Sequence, residues 1–480
     1  MVKKKQVARP KPKKEEPGQG KQSVLELKAT PLRRKDRLQR PRGMHDLLPE
    51  DSQYHDFILR TAESVLVSHE FDHIDTPVVE NVNLFARAIG ESTDIVEKEM
   101  FLLKDRGGGE KLALRPEFTA GLVRAYIEDG FNSRPQPVKI YAHGPLFRAE
   151  RPQAGRFRQF YQLDFEIFGG SKPALDVQVI QLTWRIMERL GLKGLTVQIN
   201  SIGCPECRPA YRQVLLDYYR AHVNKLCADC KKRIKRNPLR LLDCKEEKCQ
   251  RIALNAPQMF DNLCEACHDH FKQVLEMLDE LEIPYNLNSR LVRGLDYYRR
   301  TVFEIWPEGK SGELAQSALG GGGRYDGLVE LMGGQPTPAV GVAFGIERVQ
   351  EEMKRQNIKA PISPVPRVFL AQLGEKAKKQ SFKIFEDLHA AGIDVMESLG
   401  RDSLKSQLKQ AEKKQVLFTL ILGQKEAVDG TMIVRDMATG VQEVISQEQM
   451  IKYMRRRLLE KENEKASLNK SAQPKIVPKT

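Results

Sequence analysis

The chain has 480 residues, 40% apolar and 7% aromatic, with a formal charge of +14 at pH 7. That length exceeds one ordinary domain and that composition supplies cores, so a single small domain and a wholly disordered chain are both excluded. The charge sits at the ends: residues 1–40 hold 14 basic and 4 acidic residues, residues 451–480 hold 9 and 3, and the middle is close to neutral.

Residues 1–39 carry Lys3, Lys4 and Lys5, scattered Pro and Gly, and almost no apolar periodicity, which predicts a disordered basic extension. It has no apolar core of a signal peptide, Glu15 and Glu16 interrupt its basic run, and no stretch approaches the roughly 20 apolar residues that span a bilayer. A cytoplasmic protein without a membrane partner is therefore expected. Order begins near Pro41. Asp51 is expected to cap a helix over 52–69, because Tyr54, Phe57, Ile58, Ala62, Val65 and Leu66 fall at helical spacing. A strand-like stretch over 72–79 is broken at Pro77. Further strand-like runs occupy 100–104, 111–115, 138–147, 157–168, 195–199 and 301–306.

Their irregular order predicts an α+β body, an antiparallel sheet with flanking helices, built from 40–203 and 281–360. Residues 204–280 read as a separate cysteine-bearing insertion. Pro361, Pro364 and Pro366 mark a linker. After it, 366–455 alternates: strand 368–373, helix 376–390, a strand at Val395, helix 403–413, then strands 417–422 and 431–436. That predicts a small α/β domain with a mostly parallel sheet. The last helix is expected to fray beyond about Glu460 into a basic tail, 456–480. The basic ends either meet nucleic acid by counterion release or are solvated tails.

The segment 147–170, FRAERPQAGRFRQFYQLDFEIFGG, carries the most chemistry. Strand side chains alternate faces, so Tyr161, Leu163, Phe165 and Ile167 share an apolar face. Phe160, Gln162, Asp164, Glu166 and Phe168 share the other. An amide and two acids between phenylalanines suit a pocket for a cationic or hydrogen-bonding ligand. Upstream, Arg148, Glu150, Arg151, Arg156 and Arg158 crowd a loop between strands, and arginine's planar fork suits phosphate oxygens. Glu117 and Thr119 stand where a strand gives way to a helix, placed to bind an amine or to cap that helix. Arg293, Tyr297 and Tyr298 open an extended stretch. The glycine run 320–323 lacks the Gly-Lys-Ser/Thr ending of a P-loop. Arg348 stands in a first helical turn, where a cation opposes the helix dipole and a bound polyanion accounts for it.

All eight cysteines fall between Cys204 and Cys267, as Cys204/Cys207, Cys227/Cys230, Cys244/Cys249 and Cys264/Cys267. This spacing fits two four-cysteine zinc sites, while iron–sulfur clusters would use the same ligands. Sequence-order pairing and interleaved pairing are equally legal. A structural metal is expected, with no open position for catalysis.

The stretches TPVVE, FRAERPQ…GRFRQFYQLDFEIFG and GVAFGIER resemble the three motifs of class II aminoacyl-tRNA synthetases. LRPEFTAG and RGLDYYRRTVFE resemble two segments peculiar to histidyl-tRNA synthetases. The resemblance runs from about Pro41 to about Ile445, and the class I signatures HIGH and KMSKS are absent. It implies activation of L-histidine with ATP and transfer to the 3′ end of histidine tRNA, with Mg²⁺ on the phosphates. It also implies a homodimer with Pro77 at its interface and a C-terminal anticodon-binding domain. By resemblance Glu117, Thr119 and Gln162 hold the α-amino group, Glu166 and Tyr298 bind the imidazole, and Tyr297 lies beside them. Arg148 grips the α-phosphate, Glu150 joins it, Phe160 stacks on adenine, and Arg348 meets the ATP tail. Arg293 stabilises the reacting carboxylate and phosphate, and Arg151 and Gln153 approach the tRNA acceptor end. Phe118 stands where the family often has glycine.

Two other readings share the fold. Regulatory subunits of ATP phosphoribosyltransferase usually lack RGLDYY and the anticodon domain, and this chain has the former and the pattern of the latter. An RNA-binding module with a dead site would have lost Arg148, Glu166, Arg293 or Arg348, and all four are present.

Overall fold

The computed structural model describes residues 38–90, 93–104, 107, 109–152, 155–308, 318–361 and 367–471, with side chains as far as Glu464. Most of the expected basic extension, the linker prolines Pro364 and Pro366, and the end of the basic tail lie outside the described residues. Among the described residues no helix is long and apolar enough to cross a membrane.

One eight-stranded sheet dominates. From edge to edge its strands are Asp72–His73, Val138–Phe147, Gln159–Phe168, Ala339–Gly345, Gly320–Arg324, Arg299–Pro307, Leu195–Ser201 and Tyr285–Leu287. The two edge strands pair in parallel and every inner pairing is antiparallel. Alternation decides the faces as expected. Leu163, Phe165 and Ile167 are fully buried with Val340, Phe344 and Ile305, under helices Pro49–Val67, Pro173–Arg189 and Ile346–Arg355. The opposite face carries Gln162, Asp164 and Glu166 and forms the floor of a cleft.

The glycine run 320–323, to which the sequence assigned no element, is an inner strand of this sheet. A Cβ on Gly320 would lie 2.9 Å from the Ala343 carbonyl, and one on Gly321 would lie 2.5 Å from the Arg293 guanidinium. Neighbouring strands and a cleft arginine occupy the space that side chains would need.

Other expectations shift locally. The first helix begins at Pro49 with Leu48 at its N-cap and no side-chain cap. Asp51 sits in its first turn and accepts from Gln350 and Lys354, each at 2.6 Å. A lysine and a glutamine from another helix, rather than the helix's own amides, satisfy that carboxylate. Pro77 separates Asp72–His73 from Val79–Asn81, which pairs with Leu112–Leu114 in a separate two-stranded sheet. The expected strand over 100–104 reduces to a single bridge between Leu102 and Ala113. In the C-terminal sheet, order Val395–Glu397, Val368–Gln372, Phe418–Leu422, Thr431–Asp436 and Gln442–Ser446, two pairings are parallel and two antiparallel. It is therefore mixed rather than mostly parallel, because the short helix Gln424–Asp429 reverses the chain before Thr431–Asp436 and a turn reverses it again before Gln442–Ser446. The last helix, Met450–Ser471, continues past Glu460.

The cysteine-bearing stretch is helical: Arg208–Ala221, Ala228–Arg236, Glu247–Ala253 and Glu265–Glu280. Its last helix packs Phe271, Val274 and Leu278 into the apolar core under the sheet.

A buried ionic network ties these parts together. Arg324, fully buried, bonds Asp176, the Gly170 carbonyl at 2.9 Å and Asp326 at 2.9 Å. Asp176, also fully buried, lies 3.3 Å from His270 of the last insertion helix. Removing one partner from such a network leaves an uncompensated buried charge. Asp176→Ala is therefore expected to lower unfolding stability by about 3–5 kcal/mol, measured by denaturant or thermal unfolding.

Candidate active site

A cleft of about 1070 Å³ opens over the polar face of the sheet, walled on its far side by the insertion. Apart from Arg151 and Gln153, every residue expected to bind histidine or ATP lines it. Arg151 is exposed and outside the cleft wall, and Gln153 lies outside the described residues.

One end is acidic and phenolic. Glu166, 2% exposed, accepts from the Thr119 hydroxyl at 2.8 Å and from the Tyr325 hydroxyl at 2.6 Å. Burial pushes its carboxyl up to about 8, against the pull of those two hydrogen bonds. Gly341, beside it on the next strand, leaves the carboxylate its space. Glu117 is buried too. Its Oε1 accepts the Ala120 amide at 2.9 Å, so it does cap helix Thr119–Glu128, while its Oε2 has no partner among the described residues. Of the two functions weighed for Glu117, capping thus occupies one oxygen and leaves the other unpartnered. Asp164 is buried with Oδ1 likewise unpartnered, and burial followed by Glu166 and Glu117 drives its carboxyl well above the usual range. Three carboxyls crowd this end without an ion-pair partner among the described residues.

Tyr297, Tyr298 and Tyr325 enclose the same end, with ring centroids 4.6–6.5 Å apart. Tyr325 is the phenol that bonds Glu166. The sequence reading did not single it out, because it follows a glycine run that carried no signal; the turn after a buried strand aims its hydroxyl inward. Phe118 is fully buried with φ −95°, under the Arg115 guanidinium at 4.3 Å from its ring centroid. Its backbone conformation needs no glycine, and its ring turns away from the cleft.

The other end is cationic. The Arg148 guanidinium stands 5.1 Å from the Phe160 ring centroid, held by the Pro116 carbonyl at 3.0 Å. Arg348 donates to the Ala318 carbonyl at 2.9 Å, and burial, then Arg156 and Arg148, depresses its pKa. Arg156 pairs with Glu150 at 3.1 Å. These cations repel one another and favour a polyanion among them. Between the two ends lies Arg293. It pairs with Glu304, donates to the Gly321 carbonyl at 3.1 Å and keeps Nε without a partner among the described residues.

The cysteines close into two four-sulfur clusters: Cys204, Cys207, Cys264 and Cys267, and Cys227, Cys230, Cys244 and Cys249. Pairing is therefore nested, first pair with last and second with third, and not in sequence order. The helices that carry the pairs fold back on one another, so chain neighbours are not spatial neighbours.

The histidyl-tRNA synthetase family model matches residues 43–349. The chain belongs to the histidyl-tRNA synthetase family. It is an aminoacyl-tRNA synthetase with histidine–tRNA ligase activity. The anticodon binding domain model matches residues 367–457. Among similar proteins, the histidine–tRNA ligase of Dehalococcoides mccartyi is 48% identical over 413 residues, covering 86% of this chain and 98% of the relative. That of Desulforamulus reducens is 46% identical over 419 residues, covering 87% and 99%. The structure of apo S. aureus histidyl-tRNA synthetase superposes with a TM-score of 0.73 at 33% identity, covering 87% of this chain and 99% of that one. Histidyl-tRNA synthetase from Nostoc sp. PCC 7120, at 21% identity and a TM-score of 0.61, shares the fold.

Glu166 makes the synthetase's stability depend on pH. Its folded-state value lies above its ordinary 4.5, so the stability it contributes is complete below that pH and is withdrawn until about 8. The melting temperature of the unliganded protein is expected to fall more steeply between pH 5 and 8 than that of Glu166→Gln. Scanning fluorimetry across that range would read equal slopes if Glu166 ionised normally.

Proposed function

We propose that the cleft activates L-histidine with ATP, forming histidyl-adenylate and pyrophosphate, and then passes the histidyl group to the 3′ end of histidine tRNA. The single observation that carries the reading is the juxtaposition of an acid-rich, unpartnered pocket with a cationic pocket, with Arg293 between them. Glu117, through its free Oε2, takes the α-ammonium together with Thr119 and Gln162. Glu166 and Tyr298 match the donor and acceptor of the imidazole. Tyr325 fixes the Glu166 carboxyl, and Tyr297 closes the wall. Arg148 meets the α-phosphate, Glu150 holds Arg156 beside it, Phe160 offers its ring to adenine, and Arg348 meets the phosphate tail. Arg293 faces the charge that develops as the histidine carboxylate attacks the α-phosphate. A fixed cation there lowers the barrier without reorganisation. A pocket built to hydrogen-bond imidazole rejects analogues lacking those groups, and no editing domain is needed.

Glu150 and Glu304 offer the cleft oxygens, yet both are paired with arginines. That donor set fits Mg²⁺ arriving on the nucleotide's phosphates rather than in a protein cage. When bound, the ion neutralises phosphate charge. Each cysteine cluster takes a structural Zn²⁺. Arg151 and Gln153 extend toward the acceptor end and the extra 5′ guanosine of histidine tRNA. The catalytic domain comprises 40–203 and 281–360, the insertion 204–280 and the anticodon-binding domain 366–455, between a basic extension at 1–39 and a basic tail at 456–480. A cytoplasmic homodimer completes the reading. Val78 and Val79, beside Pro77, and Leu102 and Leu103 expose apolar surface near the small two-stranded sheet, as a dimer face would.

Histidine-dependent ATP–pyrophosphate exchange tests this directly. Exchange is expected with the full chain, and Arg293→Ala should lower its kcat by about 10²–10³. Wild-type rate in that variant would remove Arg293 from the chemistry. Glu117→Gln should raise the KM for histidine far more than the KM for ATP.

A further inference from the structure

The segment 293–298 bears Arg293, Tyr297 and Tyr298 but has neither helix nor strand of its own. Its inner side faces the cleft, so something must hold its outer side. From the body, the Ile89 carbonyl accepts the Asp296 amide at 3.1 Å. The other restraints come from the insertion. Arg240 donates to the Arg293 carbonyl at 3.2 Å, Asn237 donates to the Asp296 carboxylate at 2.8 Å, and Arg208 donates to the Tyr298 carbonyl.

Each of these side chains is joined through the chain to a cysteine cluster. Arg208 directly follows Cys207 and opens helix Arg208–Ala221. Asn237 and Arg240 leave helix Ala228–Arg236, whose N-cap is Cys227 and whose first turn carries Cys230, and they precede Cys244. The same helix docks on the cleft rim, with Arg233 on Asp94 at 3.2 Å and Arg236 on Glu97 at 2.8 Å.

The sulfurs are placed as metal ligands. Four sulfurs around one zinc at roughly 2.3 Å mark a tetrahedron with edges of roughly 3.8 Å. Four of the separations are 3.6 Å for Cys204–Cys207, 3.8 Å for Cys204–Cys264 and Cys207–Cys267, and 3.8 Å for Cys227–Cys244, and all four sulfurs of each cluster lie within 4.8 Å of one another. A disulfide would bring two sulfurs to roughly 2.05 Å, and a four-iron cluster would force them further apart. Main-chain amides point at the sulfurs: Cys204 N–H at Cys207 Sγ, 3.1 Å, and Cys227 N–H at Cys249 Sγ, 3.3 Å. Such donors stabilise thiolates. Nearly all the cluster sulfurs are buried, and no position in either tetrahedron is left for a reacting group.

We propose that each cluster binds one zinc ion and that the two ions together hold the 293–298 segment in its catalytic position from behind. The outer site joins residues 60 apart in the chain and fixes Arg208; the inner site fixes Asn237 and Arg240. The second half of the proposal rests on the placement of Arg293 and the tyrosines at the histidine site. Arg240 is a positioning residue, acting through the Arg293 backbone.

The test combines metal content with kinetics on the full chain. Elemental analysis should find two zinc ions per chain, and one in each of Cys244→Ser/Cys249→Ser and Cys264→Ser/Cys267→Ser. Arg240→Ala should keep both ions, lower kcat for histidine-dependent pyrophosphate exchange by roughly tenfold, and leave the KM for ATP nearly unchanged. Arg240→Lys should restore part of the loss. Wild-type protein without zinc, or with iron in its place, overturns the metal sites. Unchanged kcat in Arg240→Ala, or an equal loss expressed in the KM for ATP, overturns the positioning role. Absent exchange in the wild type would sink the histidine-activating reading instead, and the metal counts would still judge the sites by themselves.

Discussion

Burial without an ion-pair partner disfavours the charged form of an acid, and the cleft imposes this on three carboxyls at one end while crowding arginines at the other. Glu117, Asp164 and Glu166 share a buried floor with no ion-pair partner among the described residues. Arg148, Arg156 and Arg348 crowd the opposite end. In the proposed reading, histidine brings positive charge to the first end and ATP negative charge to the second. Each substrate relieves a strain that the protein alone sustains, and Arg293 stands where the two reacting charges meet.

Such a site persists only on a stiff scaffold. The strand Gly320–Arg324 lets its neighbours and the Arg293 guanidinium approach more closely than any side chain would allow. It ends in Arg324, whose buried network joins helix Pro173–Arg189 and the last insertion helix. The next residue is Tyr325, which bonds Glu166. One short stretch thus links core stability, sheet geometry and the Glu166 carboxyl. Glu166 in turn draws on that stability, since ionising it in a buried site opposes folding.

The insertion extends the same logic to a segment that no sheet supports. Hydrogen bonds from Arg208, Asn237 and Arg240 reach the outer side of 293–298, and all three arise beside cysteine clusters. Local cross-links are an economical way to rigidify helices as short as Ala228–Arg236, which propensity alone would leave frayed.

Local signals were legible in the chain. Period-two alternation marked Gln159–Phe168 and told its core face from its polar face, because a strand's side-chain directions are set by its own backbone. The motifs around Glu117, Arg148, Arg293 and Arg348 named the family and the residues that line the cleft. The glycine run was left without an element because its role is defined by atoms of neighbouring strands. Tyr325 was missed with it, and Asp51 found a lysine and a glutamine across the fold instead of capping its own helix. Cysteine spacing announced two four-sulfur groups but not their nesting, since partners 60 residues apart meet only after the helices between them pack. The sequence by itself determined what depends on near neighbours along the chain: strand faces, motif identity and the set of reactive side chains. Only the tertiary structure decided which of those groups share a hydrogen bond, a charge or a metal site, because such partners are set by packing across the fold.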